Sequence, residues 1–323
     1  MPETPETPET TALTPKLSAH ATPARGPAVQ EEAQVWEVGA LRVHRVDETE
    51  LPEPTGQWLL PDATPDVVRA TPGLQPDFAT PEGALRLSTH SFAVEAGGLR
   101  VLVDTGIGNG KTRANPAWHD LNTPYIERLT AAGFPPESVD LVVLTHLHAD
   151  HVGWNTRYEG AGGDGTWVPT FPNARYLTAR TEWEFWSSTE LEPARAQMFR
   201  DSVHPVRDAG LLDLLDVPDG GAEVAPGVRL LPAPGHTPGQ VTAELHSEGH
   251  TALVTGDSVH HPVQLAHPHL TTCVDIDPAQ AVRTRNRLLA HLDRTPAPTL
   301  LLGTHFPHPT ALAYGNGPRS PRS

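Results

Sequence analysis

Three histidines and an aspartate stand within six consecutive positions of this chain, directly after a short apolar run. The segment reads His146-x-His148-x-Asp150-His151 and follows Leu-Val-Val-Leu at 141–144. A buried polar group costs free energy unless it has a partner, so core packing gives no reason to collect these side chains at a strand end. Neutral imidazoles and carboxylates are the ligands that zinc and similar divalent ions prefer. The cluster is rich enough to supply ligands to two adjacent metal ions.

Three later segments share a second pattern, in which an apolar, strand-like run ends in a small-residue turn and a potential ligand follows. The potential ligands are His236 after Pro-Gly, Asp257 after Thr-Gly, and His305 after Gly-Thr. Glycine in each turn lets the backbone bend sharply and come close to an ion. A single Gly-His or Gly-Asp step is usually an ordinary loop. Three such steps after the dense cluster indicate a metal site.

The composition restricts the class of protein. The net charge is −16, from 23 basic and 39 acidic side chains, so nucleic acid is an unfavourable partner. Cys273 is the only cysteine, which excludes a disulfide within the chain and a thiolate metal cluster. The sequence has neither an apolar signal-like segment near its start nor a run long enough to span a membrane. We therefore expect a cytoplasmic protein without a membrane partner.

The chain is predicted to contain one domain between two tails. Residues 1–34 carry a Pro-Glu-Thr repeat and further Pro, Thr and Ala, a composition that predicts a disordered tail. Residues 35–312 contain the strand-like and helix-like patterns and are predicted to form the domain. The polar residues 313–323 are predicted to be a frayed C-terminal tail.

The elements that position the candidate ligands follow from hydrophobic periodicity. Strands are predicted at 35–46, 85–95, 99–103, 139–144, 175–177, 228–232, 241–246, 252–255 and 299–302. Helices are predicted at 124–132, 181–187, 193–203 and 278–292. Gly97-Gly98 predicts a hairpin turn, and Thr123 and Asp277 are the expected N-caps of the first and last helix. Strands and helices in both halves of the chain predict two sheets with helices outside.

The His-x-His-x-Asp-His segment, followed by a distant Gly-His, Gly-Asp and Gly-x-His, resembles the metallo-β-lactamase superfamily over residues 35–308. The resemblance implies an α/β fold, an αββα sandwich of two mixed sheets flanked by helices, with the metal site at one edge between the sheets. The first metal would then be held by His146, His148 and His236. The second would be held by Asp150, His151 and His305, with Asp257 bridging both.

This ligand set favours two divalent ions, zinc first, with iron, manganese or cobalt as alternatives for the same nitrogen and oxygen ligands. A hydroxide shared by two such ions is available near neutral pH, because coordination lowers the pKa of water from about 15.7 toward 7. It would attack a lactone or ester carbonyl. Asp150, implied as a ligand, could also orient the hydroxide and transfer its proton.

Five further residues are candidates for the pocket or for contact with a ligand. Asp104 lies where the family often has a buried group behind the ligands, and a turn-capping role is the alternative. His90 could face the pocket or fill a sheet. Of His260 and His261, one could touch substrate or a ligand, and the other is expected to be solvated. Trp154 could line an aromatic pocket; in contrast, the tryptophans at 183 and 186 have helical spacing and are expected in the core.

The flanking sequences narrow the resemblance to one branch of the family. Val-Asp-Thr-Gly-Ile-Gly at 103–108, Asp-His-Val-Gly-Trp-Asn at 150–155 and Pro-Asn-Ala-Arg-Tyr at 172–176 are similar to the branch that contains acyl-homoserine lactone lactonases and methyl parathion hydrolase. Those lactonases carry a pocket tyrosine upstream of the Gly-His segment, and residues 198–232 contain no tyrosine. This departure leaves hydrolysis of an aryl phosphotriester open beside that of a lactone or another ester.

Two other classes are weighed against a dinuclear hydrolase. A mononuclear-iron dioxygenase of the superfamily shares the Thr-His-x-His-Ala-Asp-His string, but the Gly-Arg-x-Asp segment associated with it is missing. A non-catalytic metal-binding module is the second, although structural zinc sites usually close with four ligands, often cysteines. A small molecule is the expected partner, and a homodimer is left open.

Overall fold

The computed structural model describes residues 34–160, 165–295 and 299–314. The predicted N-terminal tail, apart from residue 34, lies outside the described residues, as do residues 315–323 of the predicted C-terminal tail. The last described strand, Ala311–Tyr314, extends two residues past 312, where the domain was predicted to end. No helix in the described ranges has the length and hydropathy needed to cross a membrane.

The described ranges contain fifteen strands and eight α-helices. The strands are β1 (Val35–Val38), β2 (Leu41–Glu50), β3 (Ser88–Ala96), β4 (Leu99–Val103), β5 (Leu141–Val143), β6 (Thr156–Glu159), β7 (Thr166–Pro169), β8 (Arg175–Ala179), β9 (Leu212–Leu215), β10 (Ala222–Ala225), β11 (Val228–Pro232), β12 (Val241–Ser247), β13 (His250–Val254), β14 (Thr299–Leu302) and β15 (Ala311–Tyr314). The helices are α1 (Glu53–Leu59), α2 (Pro65–Ala70), α3 (Tyr125–Ala131), α4 (Arg180–Ser188), α5 (Pro193–Met198), α6 (His204–Asp208), α7 (Val263–Ala266) and α8 (Pro278–Leu292).

Two large mixed sheets are formed by the strands of the described ranges. The first has seven strands in the order β1-β2-β3-β4-β5-β8-β9, and the second has six in the order β10 to β15. The pairs β4–β5, β5–β8, β8–β9 and β13–β14 are parallel. Strands β6 and β7 form a separate hairpin. The predicted fold class, two mixed sheets with helices, is confirmed.

Side chains alternate along the central strands and fill two different cores. In β4, Val101 and Val103 pack between the two sheets, whereas Leu102 packs on the outer side with residues of α3 to α6. In β13, Val254 faces the space between the sheets and Leu253 packs with residues of α1, α2, α7 and α8. The layers are therefore helices, sheet, sheet and helices.

The strands that lead to the candidate ligands end close together in this architecture. Strand β5 of the first sheet ends before His146, and three strands of the second sheet, β11, β13 and β14, end before His236, Asp257 and His305. Loops from both sheets thus contribute to one site.

The element bounds differ from prediction where a turn interrupts the hydrophobic pattern. The single strand predicted at 35–46 is a hairpin of β1 and β2, because Gly39 adopts a φ of 60° and reverses the chain. The hairpin turn predicted at Gly97-Gly98 is confirmed, with φ values of 59° and 89° between β3 and β4.

The helix predictions hold where a cap and a long apolar stripe occur together. Helix α8 has the predicted bounds, and Asp277 Oδ1 accepts a hydrogen bond of 2.8 Å from the Gln280 backbone N–H. Thr123 is not the cap of α3, because Pro124 occupies that position. The helix predicted at 193–203 is α5 followed by a π-helical turn, Phe199–Val203. Several short elements, including α1, α2, β9, β10 and β15, were not predicted.

A buried polar network joins the loop after β4 to the π-helical turn. The two terminal nitrogens of Arg113 donate to the two carboxylate oxygens of Asp201 at 2.9 and 3.0 Å. Lys111 Nζ donates to Thr156 Oγ1 at 2.7 Å and lies 3.7 Å from Asp201 Oδ1. Burial lowers the pKa of Lys111 to about 7, although the Asp201 carboxylate acts in the opposite direction.

This pKa makes stability depend on pH. The folded value of about 7 lies below the ordinary value of 10.5, so between them the unfolded chain holds a proton that the folded chain lacks. The free energy of unfolding should therefore rise with pH in that window, by at most about 1.4 kcal/mol per pH unit from this group. Lys111→Met lacks this titrating group. We therefore expect the unfolding free energy of wild type minus that of Lys111→Met to increase between about pH 7.5 and 9.5 in urea titrations. A constant difference would mean that Lys111 stays protonated in the folded protein.

Candidate metal centre

Seven side chains predicted as ligands converge at the edge where the two sheets meet. They form two groups in which the potential ligand atoms lie within 4.8 Å of one another. The first group is His146, His148, His236 and Asp257, and the second is Asp150, His151 and His305. The structure therefore brings together every residue of the predicted ligand set.

Asp257 lies between the two groups. Its Oδ2 atom is 3.2 Å from His236 Nε2 and 3.7 Å from His146 Nε2. Its Oδ1 atom is 3.3 Å from His151 Nε2 and 3.2 Å from His305 Nε2. Each carboxylate oxygen thus faces the imidazoles of one group, which is the arrangement that lets one carboxylate contact two cations.

Asp150 is the ligand candidate nearest to solvent. Its carboxylate oxygens lie 3.6 Å from His305 Nε2 and 3.9 Å from His151 Nε2, and 12% of its side chain is exposed. The other six candidates are buried. The site therefore opens to solvent on the side of Asp150.

The unsatisfied atoms of the site fit divalent metal ions. His146 Nε2 and His151 Nε2 are buried and form no hydrogen bond within the described residues. His148 Nδ1 and His236 Nε2 lie 2.9 Å apart, so both nitrogens are directed at the same point. Buried polar atoms without partners are costly. A cation at each group would satisfy these nitrogen and oxygen atoms, which are the donors that zinc and related ions take.

The histidines of the centre fall into two electrostatic classes. Burial lowers the pKa of His146 and of His148 well below the usual range, which keeps these imidazoles neutral. Burial acts in the same direction on His151 and His236, but nearby carboxylates, Asp257 first, outweigh it. They raise the pKa of His151 well above its usual range and that of His236 to about 9. A metal must displace protons from the second class, so metal binding should be accompanied by proton release.

Asp104 contacts His151 directly. Its Oδ2 atom is 2.8 Å from His151 Nδ1 and accepts a hydrogen bond of 2.8 Å from the Thr145 hydroxyl. Its Oδ1 atom accepts one of 2.8 Å from the Thr145 backbone N–H. Asp104 therefore orients a candidate ligand from behind and joins the loop after β4 to the loop after β5. The geometry favours this role over simple turn capping.

Asp275 has the equivalent position behind His236 and was missed in the sequence analysis. Its Oδ1 atom is 2.9 Å from His236 Nδ1, and its Oδ2 atom accepts a hydrogen bond of 2.9 Å from Thr272 N–H. The backbone N–H of Asp277 donates to Gly235 O at 2.9 Å, which holds the start of α8 against the same loop. The available signal was a second aspartate just before the predicted N-cap.

Glu182 is the second missed residue, and it links the two loops of the first group. Its Oε1 atom accepts hydrogen bonds from the backbone N–H of Leu147 at 3.0 Å and from Trp186 Nε1 at 2.7 Å. Its Oε2 atom accepts one from the Gly239 N–H at 3.0 Å. Gly239 packs so closely that a Cβ atom there would lie 2.0 Å from the Glu182 nitrogen. This buried carboxylate thus fixes the loop of His146 and His148 relative to the loop of His236.

His90 lies behind His305 and away from the opening. Its Nε2 atom is 3.0 Å from Gly303 O and its Nδ1 atom is 3.2 Å from Ser88 Oγ. His305 Nδ1 in turn lies 3.0 Å from Ser88 O. Of the two roles considered for His90, the structure favours that of a buried sheet residue that supports the ligand loop.

His260 lies inside the site. Its Nε2 atom is 3.0 Å from Asp257 Oδ2, its ring stacks on that of His305 at an interplanar angle of 9°, and the residue is 1% exposed. The expectation that the neighbouring histidine is solvated is wrong, because His261 is buried and its Nε2 atom lies 2.8 Å from Phe78 O.

Trp154 is placed differently from the expected pocket position. Its ring stacks on Tyr125 with centroids 5.3 Å apart, and its Nε1 atom donates to Glu48 Oε1 at 2.8 Å. The Glu48 carboxylate also accepts the backbone N–H groups of Ile107 and Gly108. Trp154 thus belongs to the core between the first sheet and its helices, because its indole N–H finds a buried acceptor there.

Comparisons with known proteins assign a family to this arrangement. A family model described as the metallo-β-lactamase superfamily matches residues 84–303. An N-acyl homoserine lactonase from Bacillus sp is 25% identical over 184 residues, which are 52% of this chain and 62% of that protein. The matched part thus spans less than two thirds of the length of that curated relative.

Solved structures with low sequence identity share the fold. The dizinc quorum-quenching lactonase AidC has a TM-score of 0.68 at 19% identity, covering 90% of this chain and 97% of that one. The hydrolase AbOPH of the beta lactamase superfamily has a TM-score of 0.65 at 22% identity, covering 90% and 95%.

The two aspartates behind the histidines should each affect one metal. Asp275→Asn should weaken binding at the first group, and Asp104→Asn at the second, by about 10–100-fold, because the partner of a ligating histidine sets its orientation and basicity. After dialysis against a chelator that leaves wild type loaded, each variant should retain about one ion per chain by elemental analysis. Full retention in both, as in the exposed control Asp219→Asn, would contradict this assignment.

Glu182→Gln should weaken the first group through its backbone. Glutamine offers one oxygen and one N–H₂ group, so a donor must face either the Gly239 N–H or the N–H groups of Leu147 and Trp186. We expect cobalt(II) affinity at one site to fall by about 10–100-fold, with a changed d–d absorption spectrum. Glu184→Gln, an exposed change on the same helix, is the matched control. Equal affinities and spectra for the two variants would refute the positioning role.

Proposed function

This chain belongs to the metallo-β-lactamase superfamily, and on that premise we propose that it is a dinuclear metal-dependent hydrolase acting on a lactone or ester carbonyl. The observation that carries the proposal is the position of Asp257, whose two oxygens face two separate groups of ligands. Zinc is the first choice for both ions, with iron, manganese or cobalt as alternatives.

Two divalent cations, when bound, would supply a Lewis acid and a nucleophile that is available at neutral pH. His146, His148 and His236 would hold one of them and Asp150, His151 and His305 the other. Asp257 would contact both, and the aspartates behind His151 and His236 would fix the orientation of these two rings.

Asp150 is the residue to which we assign proton transfer. It is the most exposed of the candidate ligands, so its carboxylate is the one that a molecule from solvent would reach first. A carboxylate in that position could accept a proton from the attacking water and return it to the leaving oxygen. In this proposal no side chain acts as the nucleophile, and the chain contributes positioning, charge and a proton acceptor.

The lactone assignment is supported by the curated relatives. The Bacillus sp protein is an N-acyl homoserine lactonase, and AidC is described with the product N-hexanoyl-L-homoserine bound. Two ligand groups rather than one also argue against a mononuclear-iron dioxygenase. A closed structural zinc site would need four ligands, fewer than the seven that converge here.

The test is steady-state hydrolysis of a long-chain acyl-homoserine lactone beside an aryl phosphotriester, with zinc-loaded protein. We expect kcat/KM for the lactone of about 10⁴ M⁻¹s⁻¹ or more, within the usual enzymatic range. Asp257→Asn should reduce turnover to the blank, because the two groups lose their shared carboxylate.

The same experiment separates the alternatives. A strong preference for the phosphotriester would replace the lactone assignment. A structural metal module would be the better description under two conditions: wild type hydrolyses neither substrate, and Asp257→Asn both loses its metal and has a lower melting temperature. Asp219→Asn serves as the control for an exposed carboxylate.

A further inference from the structure

An arginine that has no hydrogen-bond or ion-pair partner among the described residues lies beside the candidate metal centre. Arg195 on α5 stacks on Trp186 of α4, with its Cζ atom 4.1 Å from the ring centroid. Within the described residues its guanidinium forms neither a hydrogen bond nor an ion pair, and its neighbours Glu192, Glu182 and Asp150 act on it only through space. Its five N–H donors therefore have no acceptor in the part of the chain that the structure describes.

The arginine is close to the open side of the site. The Trp186 ring lies 5.8 Å from the ring of His148 in the first ligand group. Asp150, the ligand candidate nearest to solvent, is among the charges that act on Arg195. A molecule that enters past Asp150 thus meets this guanidinium near the metal ligands.

The platform under the arginine is rigid. Trp186 Nε1 donates to Glu182 Oε1 at 2.7 Å, and the same carboxylate holds the backbone of Leu147 between His146 and His148. Trp186 is also only 4% exposed, so packing fixes the orientation of its ring. The distance between the stacked guanidinium and the ligand loop is therefore set by the fold before substrate arrives, which reduces the cost of ordering on binding.

Arg195 is partly buried, and no carboxylate of the described residues forms an ion pair with it. Burial lowers its pKa, which means that the guanidinium has lost part of its hydration without gaining hydrogen bonds. The chain as a whole carries −16, so an anionic molecule is repelled over most of the surface and a local cation is needed to accept it. A guanidinium fork binds a carboxylate through two parallel hydrogen bonds.

We propose that Arg195, supported by the Trp186 ring, is a substrate subsite that binds a carboxylate group of the ester or lactone substrate. This inference rests on the proposed hydrolase function and adds a charge preference to it. The carboxylate would bind beside the first ligand group while the scissile carbonyl lies over the metal ligands, so the enzyme would select carboxylate-bearing substrates over neutral ones of equal length.

The experiment compares two activated esters of matched length on the zinc-loaded protein. One is the 4-nitrophenyl monoester of adipic acid, which carries a free carboxylate, and the other is the neutral 4-nitrophenyl hexanoate, whose acyl chain also has six carbons. We expect wild type to favour the charged ester by about tenfold or more in kcat/KM, as hydrogen bonds between charged groups would give. Arg195→Gln should remove that preference by raising KM for the charged ester and should leave the neutral ester nearly unchanged.

Two further variants show whether position and geometry matter. Arg200→Gln removes an exposed arginine in the adjacent π-helical turn, whose guanidinium donates to Gln197 Oε1, and should leave the preference intact. Arg195→Lys keeps the charge without the fork and should retain only part of the preference. Equal kcat/KM for the two esters in wild type, or an equal loss for both esters in Arg195→Gln, would overturn the proposal.

A binding measurement separates this inference from the proposed hydrolysis. The 4-nitroanilide of adipic acid keeps the carboxylate and resists cleavage, and its affinity can be measured by calorimetry on the zinc-loaded protein. If neither ester is hydrolysed but the anilide binds wild type and Arg200→Gln about tenfold more tightly than Arg195→Gln, the subsite stands without the hydrolase assignment. Equal affinities in the three proteins would contradict the subsite.

Discussion

The nitrogen and oxygen atoms of seven candidate ligands face one another with few hydrogen bonds between them, and this constrains the surrounding fold. Asp257 is at the centre, and imidazoles approach its carboxylate oxygens from both groups. Such an arrangement is unfavourable in a dry interior unless cations occupy it. The surrounding fold holds three of the candidate ligands from behind: Asp104 contacts His151, Asp275 contacts His236, and a backbone carbonyl contacts His305.

Glu182 shows how that support extends beyond the ligands. It lies on α4, outside the sheets, yet its two oxygens bind the backbones of both loops of the first group. The same carboxylate orients Trp186, on which Arg195 rests. Metal positioning and the proposed recognition of substrate therefore share one buried acceptor, and a change there would affect both.

The convergence of the seven candidate ligands could be predicted from the sequence because its signal is local. His146 to His151 are close in the chain, and each later ligand follows an apolar run and a glycine turn. The supporting residues lacked such a signal. Glu182 lies in a predicted helix, where a glutamate is usually exposed, and only the folded structure brings the Gly239 backbone into contact with it. Trp154 was misplaced because its acceptor, Glu48, is distant in sequence. The short helices α1 and α2 escaped prediction because one or two turns carry little periodicity.

The loops that carry the candidate ligands come from different sheets, and this has a consequence for the thermal stability of the protein. His146 and His148 follow β5 of the seven-stranded sheet, whereas His236 and Asp257 follow strands of the six-stranded sheet. An ion bound by the first group would act as a clasp across the sandwich, and the sheets could not part without releasing it. The melting temperature would then depend on the concentration of free metal as well as on the sequence. Each tenfold increase of free metal above the dissociation constant would add about 1.4 kcal/mol per ion to the folded state.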